Sequence, residues 1–225
     1  MDQENTMEST KSRLLLAALP HVPFDGWSDA TLAAAITESD IPPGLARALF
    51  PRGGLDLALA YHALGDGQML VSLAETDLTA LRFRDRIATA IKLRLQNADR
   101  ELVRRASALF ALPQNAPEGT RALWRTADAI WTALGDTSTD LNWYTKRATL
   151  SAVYAATLLF WLGDDSVSHS ATWGFLDRRI ENVMSFEKAR ASFRENPLGR
   201  ALLNGPLKIL ERVHAPQPHD LPGKT

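Results

Sequence analysis

The spacing of apolar residues along the chain predicts helices throughout. Leu and Ala recur at intervals of three and four residues, which is the period of a helix with one buried face. Alternating runs of β-branched residues, the usual sign of strands, do not occur in the sequence. We therefore predict an all-α protein. Its helices are expected at about residues 8–19, 28–37, 43–50, 52–75, 78–97, 100–111, 116–134, 140–162 and 170–191.

The breaks between these helices predict how the chain is organised. Residues 8–55 hold three short helices separated by the turns FDGW and SDIPP, an arrangement similar to a helix-turn-helix head. Residues 56–191 hold the longer helices, with ALPQNAPEG and GDTSTD as the clearest interruptions. We expect a larger apolar domain there, followed by an amphipathic helix over residues 192–214 and a disordered tail over residues 215–225.

The stretch DTSTDLNWYTKRATLSAVYAATLLFWLGDD begins with polar residues and then becomes apolar. Asp140 is a natural N-cap, and Trp143 and Tyr144 follow it in a first turn that is otherwise polar. Large aromatic side chains in a polar surrounding are typical of protein interfaces. Packing of the tryptophan beneath a neighbouring loop is an equally open interpretation.

Beyond Arg147 the same predicted helix is apolar on nearly every side. A helix of this kind is either buried all round or lines a cavity, and a solid core is the more frequent case. In the cavity interpretation, small residues leave space between helices and larger ones form walls. The residues predicted to line such a cavity are Ala152, Val153, Ala156, Leu159, Phe160 and Trp161.

The last helical segment separates apolar residues from basic ones. Its spacing fits an amphipathic helix, either packed on the core or lying on a membrane surface. Gly205 and Pro206 interrupt it, since proline removes a helix hydrogen bond. The residues predicted to contact a membrane are Leu198, Leu202, Leu203, Lys208, Ile209, Leu210 and Arg212.

Composition excludes several classes of protein. The 225 residues carry a formal net charge of −1, so no general attraction to nucleic acid or to anionic membranes is built in. The chain has no cysteine, which fits a reducing compartment. The first ten residues show neither a signal-peptide core nor an Arg-rich transit pattern, and the longest apolar run is too short to span a bilayer. We expect a bacterial cytoplasmic protein peripheral to the inner membrane, or a mitochondrial matrix protein if the source is eukaryotic.

No pattern of catalytic residues emerges. Glu211 and His214 form a single Glu-x-x-His, whereas di-iron helical bundles need two such motifs and further carboxylates. The terminal PGKT lacks the first glycine and the following helix of a phosphate-binding loop. We therefore predict a protein that is not an enzyme and needs neither metal nor cofactor.

The three-helix head resembles the DNA-binding head of TetR-type repressors, but its charge is unfavourable. Between Asp25 and Leu55 there are two basic residues, Arg47 and Arg52, against four acidic ones. Contacts with phosphates supply most of the affinity for DNA, so a net charge of −2 predicts poor binding. A TetR-type regulator that senses a hydrophobic ligand is kept as the alternative function.

Two blocks, GDTSTDLNWYTKRATLSAVYAATLLFWLGD and TWGFLDRRIENVMSFEK, closely resemble the Coq-nine family of ubiquinone biosynthesis. The resemblance implies a TetR-like fold that does not act on DNA, a homodimer, and an apolar cavity for an isoprenoid or phospholipid. It also implies assistance to the di-iron hydroxylase that modifies demethoxyubiquinone. Carried over to this chain, the surface that meets the hydroxylase consists of Asp140, Trp143 and Tyr144, and the membrane helix corresponds to residues 198–213.

Overall fold

A computed structural model describes the backbone of residues 2–195 and the side chains of residues 6–185. This part of the chain is helical and contains no strand, so the all-α prediction is confirmed. Short 3-10 turns cover Leu19–His21 and Val167–His169. The α-helices are α1 Asp2–Ala18, α2 Val22–Asp25, α3 Asp29–Ser39, α4 Pro43–Leu49, α5 Gly54–Glu75, α6 Phe83–Gln96, α7 Arg100–Phe110, α8 Ala116–Ala133, α9 Leu141–Leu162 and α10 Ser170–Glu195.

Side-chain caps fix where three of these helices begin. The Ser28 hydroxyl accepts a hydrogen bond from the backbone N–H of Thr31 at the start of α3. The Asp99 carboxylate accepts two from the first turn of α7. Asp140 accepts one from the N–H of Asn142 at the start of α9, as the sequence predicts.

Two local differences from the prediction have clear causes. Helix α6 begins at Phe83 rather than near residue 78, because the Asp77 carboxylate accepts hydrogen bonds from both the N–H and the hydroxyl of Thr79. This local bonding competes with helix formation. The predicted turn FDGW is instead the end of the short helix α2, which stops at Gly26 with φ of 68°.

The chain divides into two compact units. The first contains the chain up to Thr76 together with Leu93–Leu123, and the second contains Asp77–Lys92 together with the chain from Trp124 onward. In the first unit, apolar side chains of α1, α3, α5 and α7 form one buried cluster. Trp27 is part of it: its indole N–H donates to the carbonyl of Leu102 at 3.0 Å, and its ring lies 5.3 Å from that of Tyr61.

A buried arginine joins α5 to α6 within this unit. Arg94 is only 3% exposed. Its Nε donates to Asp66 at 2.7 Å and its Nη2 to the carbonyl of His62 at 3.0 Å. The guanidinium lies directly against Gly65, where an added Cβ would stand 2.5 Å from Nη1. A glycine is therefore required at this position by the close approach of the arginine.

This contact generates a prediction with a matched control two residues away. Gly65→Ala is expected to lower the free energy of unfolding by about 1–3 kcal/mol, since the guanidinium is held by two partners and cannot move aside. Gly67→Ala lies on the same helix with no atom within 4 Å of its added Cβ, and it is expected to raise stability by about 0.5–1 kcal/mol. Urea denaturation of the two variants measures both effects, and equal shifts would contradict the role given to Arg94.

Candidate functional site

Helices α6, α8, α9 and α10 of the second unit surround an apolar cavity of about 210 Å³. Leu150, Val153 and Ile180 are buried side chains of its wall. Phe83 and Met184 are 45% and 43% exposed, Asn142 is exposed as well, and the cavity opens to solvent at such residues. The described residues that line it are Phe83, Arg84, Ile87, Trp131, Asn142, Thr145, Lys146, Thr149, Leu150, Val153, Ile180, Val183 and Met184.

The two cations that line the cavity are both paired. Lys146 Nζ lies 2.7 Å from an oxygen of Asp136. Arg84 lies 3.4 Å from Asp85 and 3.5 Å from Glu181. Because their charges are compensated by neighbouring carboxylates, the described lining offers no unpaired charge to attract an ion. Its chemistry suits a neutral, largely apolar ligand.

Asp136, in the loop before α9, is the centre of a hydrogen-bonded network. Its side chain is 3% exposed and accepts from Lys146, from the hydroxyl of Ser138 and from Arg147 Nη1 at 3.0 Å. Burial raises the pKa of the Asp136 carboxyl, but the hydrogen bonds from Lys146, Ser138 and Arg147 outweigh it and bring the pKa down to about 2. Arg147, itself 3% exposed, also bonds to Asp128 of α8. The network joins the loop and α8 to the second turn of α9.

Three aromatic rings lie beside this network. Trp143 and Tyr144 meet edge to face with centroids 4.8 Å apart, and Trp124 of α8 lies 5.9 Å from Trp143 and 6.4 Å from Tyr144. The Arg147 guanidinium stands 4.0 Å from the centre of the Trp143 ring. A cation at this distance from an indole face is attracted to it. We call Trp124, Trp143 and Tyr144 the aromatic cluster.

The structure brings the predicted partner residues together. Asp140 caps α9 and is exposed, while Trp143 and Tyr144 are half-buried in its first turn. Trp143 packs on another ring and on a guanidinium. The sequence pattern missed Trp124, because it stands 19 residues before Trp143 and only the pairing of α8 with α9 brings the rings together. The role of these residues in binding a partner stays a prediction.

The six residues predicted to line a cavity fall on different sides of α9. Val153 lines the cavity described above. Trp161 is buried at 3% exposure, and Ala156 is half-buried. Ala152, Leu159 and Phe160 are exposed, with the Phe160 ring stacked on Phe175 at 4.6 Å. Of the predicted residues, the lining of this cavity includes Val153 alone, and lipid contact by the other five stays a prediction.

The seven residues predicted to contact a membrane, from Leu198 to Arg212, lie outside the described residues, as do Glu211, His214 and the predicted tail. Within the described residues, no group of three or more potential metal ligands comes together. Also within that part of the chain, no helix combines the length and the apolarity needed to cross a bilayer.

Comparison with known proteins gives a consistent result. Residues 116–187 match the COQ9 family model. The ubiquinone biosynthesis protein COQ9, mitochondrial, of Rattus norvegicus is 34% identical over 212 residues, covering 88% of this chain and 65% of that protein. The probable counterpart of Dictyostelium discoideum is 30% identical over 193 residues, covering 82% of this chain and 63% of that protein. The chain thus spans just under two thirds of the length of these curated relatives.

A solved structure supports the fold independently. The TetR transcriptional regulator of Nitrosomonas europaea ATCC 19718 superposes with a TM-score of 0.58 at 20% identity, covering 76% of this chain and 95% of that one. At this identity the likeness concerns the fold alone. The predicted TetR-like arrangement is confirmed.

The Asp136 network generates a prediction about pH. The folded pKa is below the unfolded value of about 3.9, so the carboxylate stabilises the fold above that pH and the contribution is lost as pH falls through about 2. Asp136→Asn is expected to cost about 2–3 kcal/mol of unfolding free energy at pH 7, because buried Arg147 and half-buried Lys146 lose the carboxylate that they share.

Chemical denaturation across the acid range measures this effect. The difference between the natural protein and Asp136→Asn is expected to shrink between about pH 4 and pH 2. Asp177→Asn changes an exposed carboxylate of the same unit and is the control, expected to stay within about 0.5 kcal/mol. A difference that stays constant from pH 7 to pH 2 would show that the network does not depend on ionised Asp136.

Proposed function

Because the chain belongs to the COQ9 family, we propose that it acts in ubiquinone biosynthesis as a lipid-binding accessory protein with no catalytic activity of its own. In this proposal it takes an isoprenoid or quinone-type lipid from a membrane surface and presents it to the demethoxyubiquinone hydroxylase. The observation that carries the proposal is the apolar cavity of the second unit, whose lining includes the first turns of α9 beside the aromatic cluster.

The energetics of the cavity support lipid binding. Its wall is made largely of aliphatic and aromatic side chains, and its two cations are paired. Each methylene that a ligand buries there contributes about 0.8 kcal/mol. A neutral hydrocarbon group therefore gains affinity without any charged contact. Because about 210 Å³ is too small for a whole polyprenyl lipid, the rest of such a ligand extends beyond Phe83 and Met184.

The aromatic cluster supports a docking role for the start of α9. Half-buried Trp and Tyr side chains that are already held in place lose little conformational freedom on binding and contribute much of the energy at interfaces. Here Arg147 and Trp124 hold Trp143 in position. We assign the hydroxylase to this surface as its partner, because the surface residues Trp143 and Tyr144 resemble the family motif.

Two further parts of the proposal concern membrane and self-association. The predicted membrane residues lie outside the described part, and each basic residue among them would add about 1 kcal/mol to the free energy of binding to an anionic surface.

For a homodimer, the outer face of α9 offers exposed Ala148, Ala152 and Leu159, which lie on one stripe at helical spacing. Small side chains on such a stripe let a second helix approach closely.

The alternative of a DNA-binding regulator finds less support in the side chains of the head. Helix α4, which would enter the major groove, has seven residues and carries one cation, Arg47. Arg52 is engaged with Asp56 and Glu118, at 2.7 and 3.0 Å. Phosphate contacts need free cations. We therefore propose that the TetR-like fold serves ligand binding here and not recognition of DNA.

Filling the cavity tests the lipid-binding proposal. Val153→Phe places a ring into the space, so lipid that co-purifies with the protein is expected to fall at least fivefold, measured by mass spectrometry of an organic extract. Ile180→Phe fills the same space from α10 and serves if the first variant is unstable. Ala133→Phe adds the same ring at an exposed position of α8 and is expected to retain lipid. Equal lipid content in all four proteins, or none in the natural one, would overturn the proposal.

Truncating the aromatic cluster tests the docking proposal. Trp143→Ala, Tyr144→Ala and Trp124→Ala are each expected to weaken binding to the purified hydroxylase by about 2 kcal/mol, roughly thirtyfold, in a titration. Phe24→Ala removes an aromatic ring that is 84% exposed in α2 and is the control. Circular dichroism checks that helicity is retained. If the cluster variants bind as tightly as the control, the partner docks elsewhere.

A further inference from the structure

We propose that the cavity takes the ring end of a quinone-type lipid, with a ring oxygen hydrogen-bonded to the hydroxyl of Thr149, while the tail leaves past Phe83 and Met184. This inference rests on the proposed function and specifies which part of the ligand is enclosed. Three features of the cavity carry it: its volume, its one uncommitted hydroxyl among the described residues, and its aromatic wall.

The volume matches a substituted six-membered ring. An apolar cavity of about 150 Å³ is enough to bind benzene in a protein interior. The present cavity, at about 210 Å³, leaves room for a ring with a few small substituents. A long isoprenoid chain would place only a minor part of its length there. A ring end, in contrast, would fill the space.

The hydroxyl of Thr149 lacks the bond that several other threonines of these helices make to their own helix. Threonines inside an α-helix commonly donate to the carbonyl four residues earlier, as Thr89, Thr120 and Thr157 do at 2.7–2.9 Å. Thr145, which also lines the cavity, donates to the carbonyl of Asn142 at 3.2 Å. Thr149 lines the cavity without a side-chain hydrogen bond to any described residue. Its O–H is therefore free to donate to a ligand oxygen.

A hydroxyl in an apolar enclosure favours a ligand that brings one matching polar atom. A quinone carbonyl accepts a hydrogen bond, and the phenol of the reduced ring both donates and accepts. A purely hydrocarbon end would leave the hydroxyl unsatisfied, which costs free energy when water is displaced. Thr149 thus distinguishes a ring that carries oxygens from an isoprenoid chain.

The aromatic wall adds a second preference for a ring. Phe83 and Trp131 both line the cavity, with centroids 5.5 Å apart. Aromatic pairs at such distances gain stabilisation beyond the burial of their area. The Trp131 indole is also fixed, since its N–H donates to the carbonyl of Lys146 at 3.1 Å. A planar ligand ring therefore meets aromatic surface that is already oriented.

The cavity and the proposed docking surface share helix α9. Asn142, Thr145 and Thr149 line the cavity from the first three turns of α9, and Trp143 and Tyr144 stand on the first of those turns. A ring bound at Thr149 is therefore held by the same helix that carries the proposed docking surface. This is the end of the molecule on which a ring hydroxylase acts.

Binding of two probes measures the preference. One probe is a 2,3-dimethoxy-5-methyl-1,4-benzoquinone that carries a decyl chain, and the other is farnesol, which has a chain and no ring. Titration calorimetry is carried out with the natural protein, Thr149→Val, Thr132→Val and Val153→Phe. Valine keeps the shape of threonine and removes only the hydroxyl.

We expect Thr149→Val to weaken the quinone about fivefold, as for loss of one neutral hydrogen bond, and to leave farnesol unchanged or slightly tighter. Thr132→Val makes the same exchange at an exposed position of α8 outside the cavity lining, and it is expected to change neither affinity. Unchanged quinone affinity in Thr149→Val, or equal losses for both probes, would overturn the inference while leaving the lipid site in place. If neither probe binds the natural protein, or if Val153→Phe alters neither, the proposed function fails instead.

Discussion

The contact on which the described site depends is the buried ion-pair network around Asp136. One carboxylate binds Lys146 and Arg147, two consecutive residues of α9 that serve different surfaces. Lys146 lines the cavity and lies 5.1 Å over the Trp131 ring, while Arg147 supports Trp143. Buried charges of this kind cost desolvation energy and are retained where geometry matters more than stability. Here the network connects a residue of the cavity wall with the residue that supports the aromatic cluster.

The helices could be predicted from sequence because their signals are local. Asp140 followed by a polar first turn marks the start of α9, and the structure places the cap there. The start of α6 was predicted too early because side-chain hydrogen bonds at Asp77 compete with helix formation. The spacing of apolar residues does not reveal this competition. Trp143 and Tyr144 adjoin in sequence, so their proximity was predictable. Trp124 joins them only through the pairing of two helices.

The lining of the cavity was harder to predict for a definite reason. On a helix that is apolar all round, hydrophobicity carries no information about which face looks inward. The face of α9 that lines the cavity includes Asn142, Thr145 and Thr149. Choosing the cavity-lining residues by hydrophobicity omits these polar residues and includes Leu159 and Phe160, which are exposed. The face of α9 that lines the cavity combines these polar residues with Leu150 and Val153.

The opening of the cavity also determines how a ligand enters and leaves. Its edge is made by the side chains of Phe83 and Met184, both substantially exposed. Exposed side chains change rotamer within picoseconds to nanoseconds, whereas separating packed helices takes microseconds or longer. Passage in and out can proceed by side-chain rotation, without breaking the helix framework. The residence time of the ligand would then depend on its affinity for the cavity. The rate of transfer would depend on how often the protein encounters an acceptor protein.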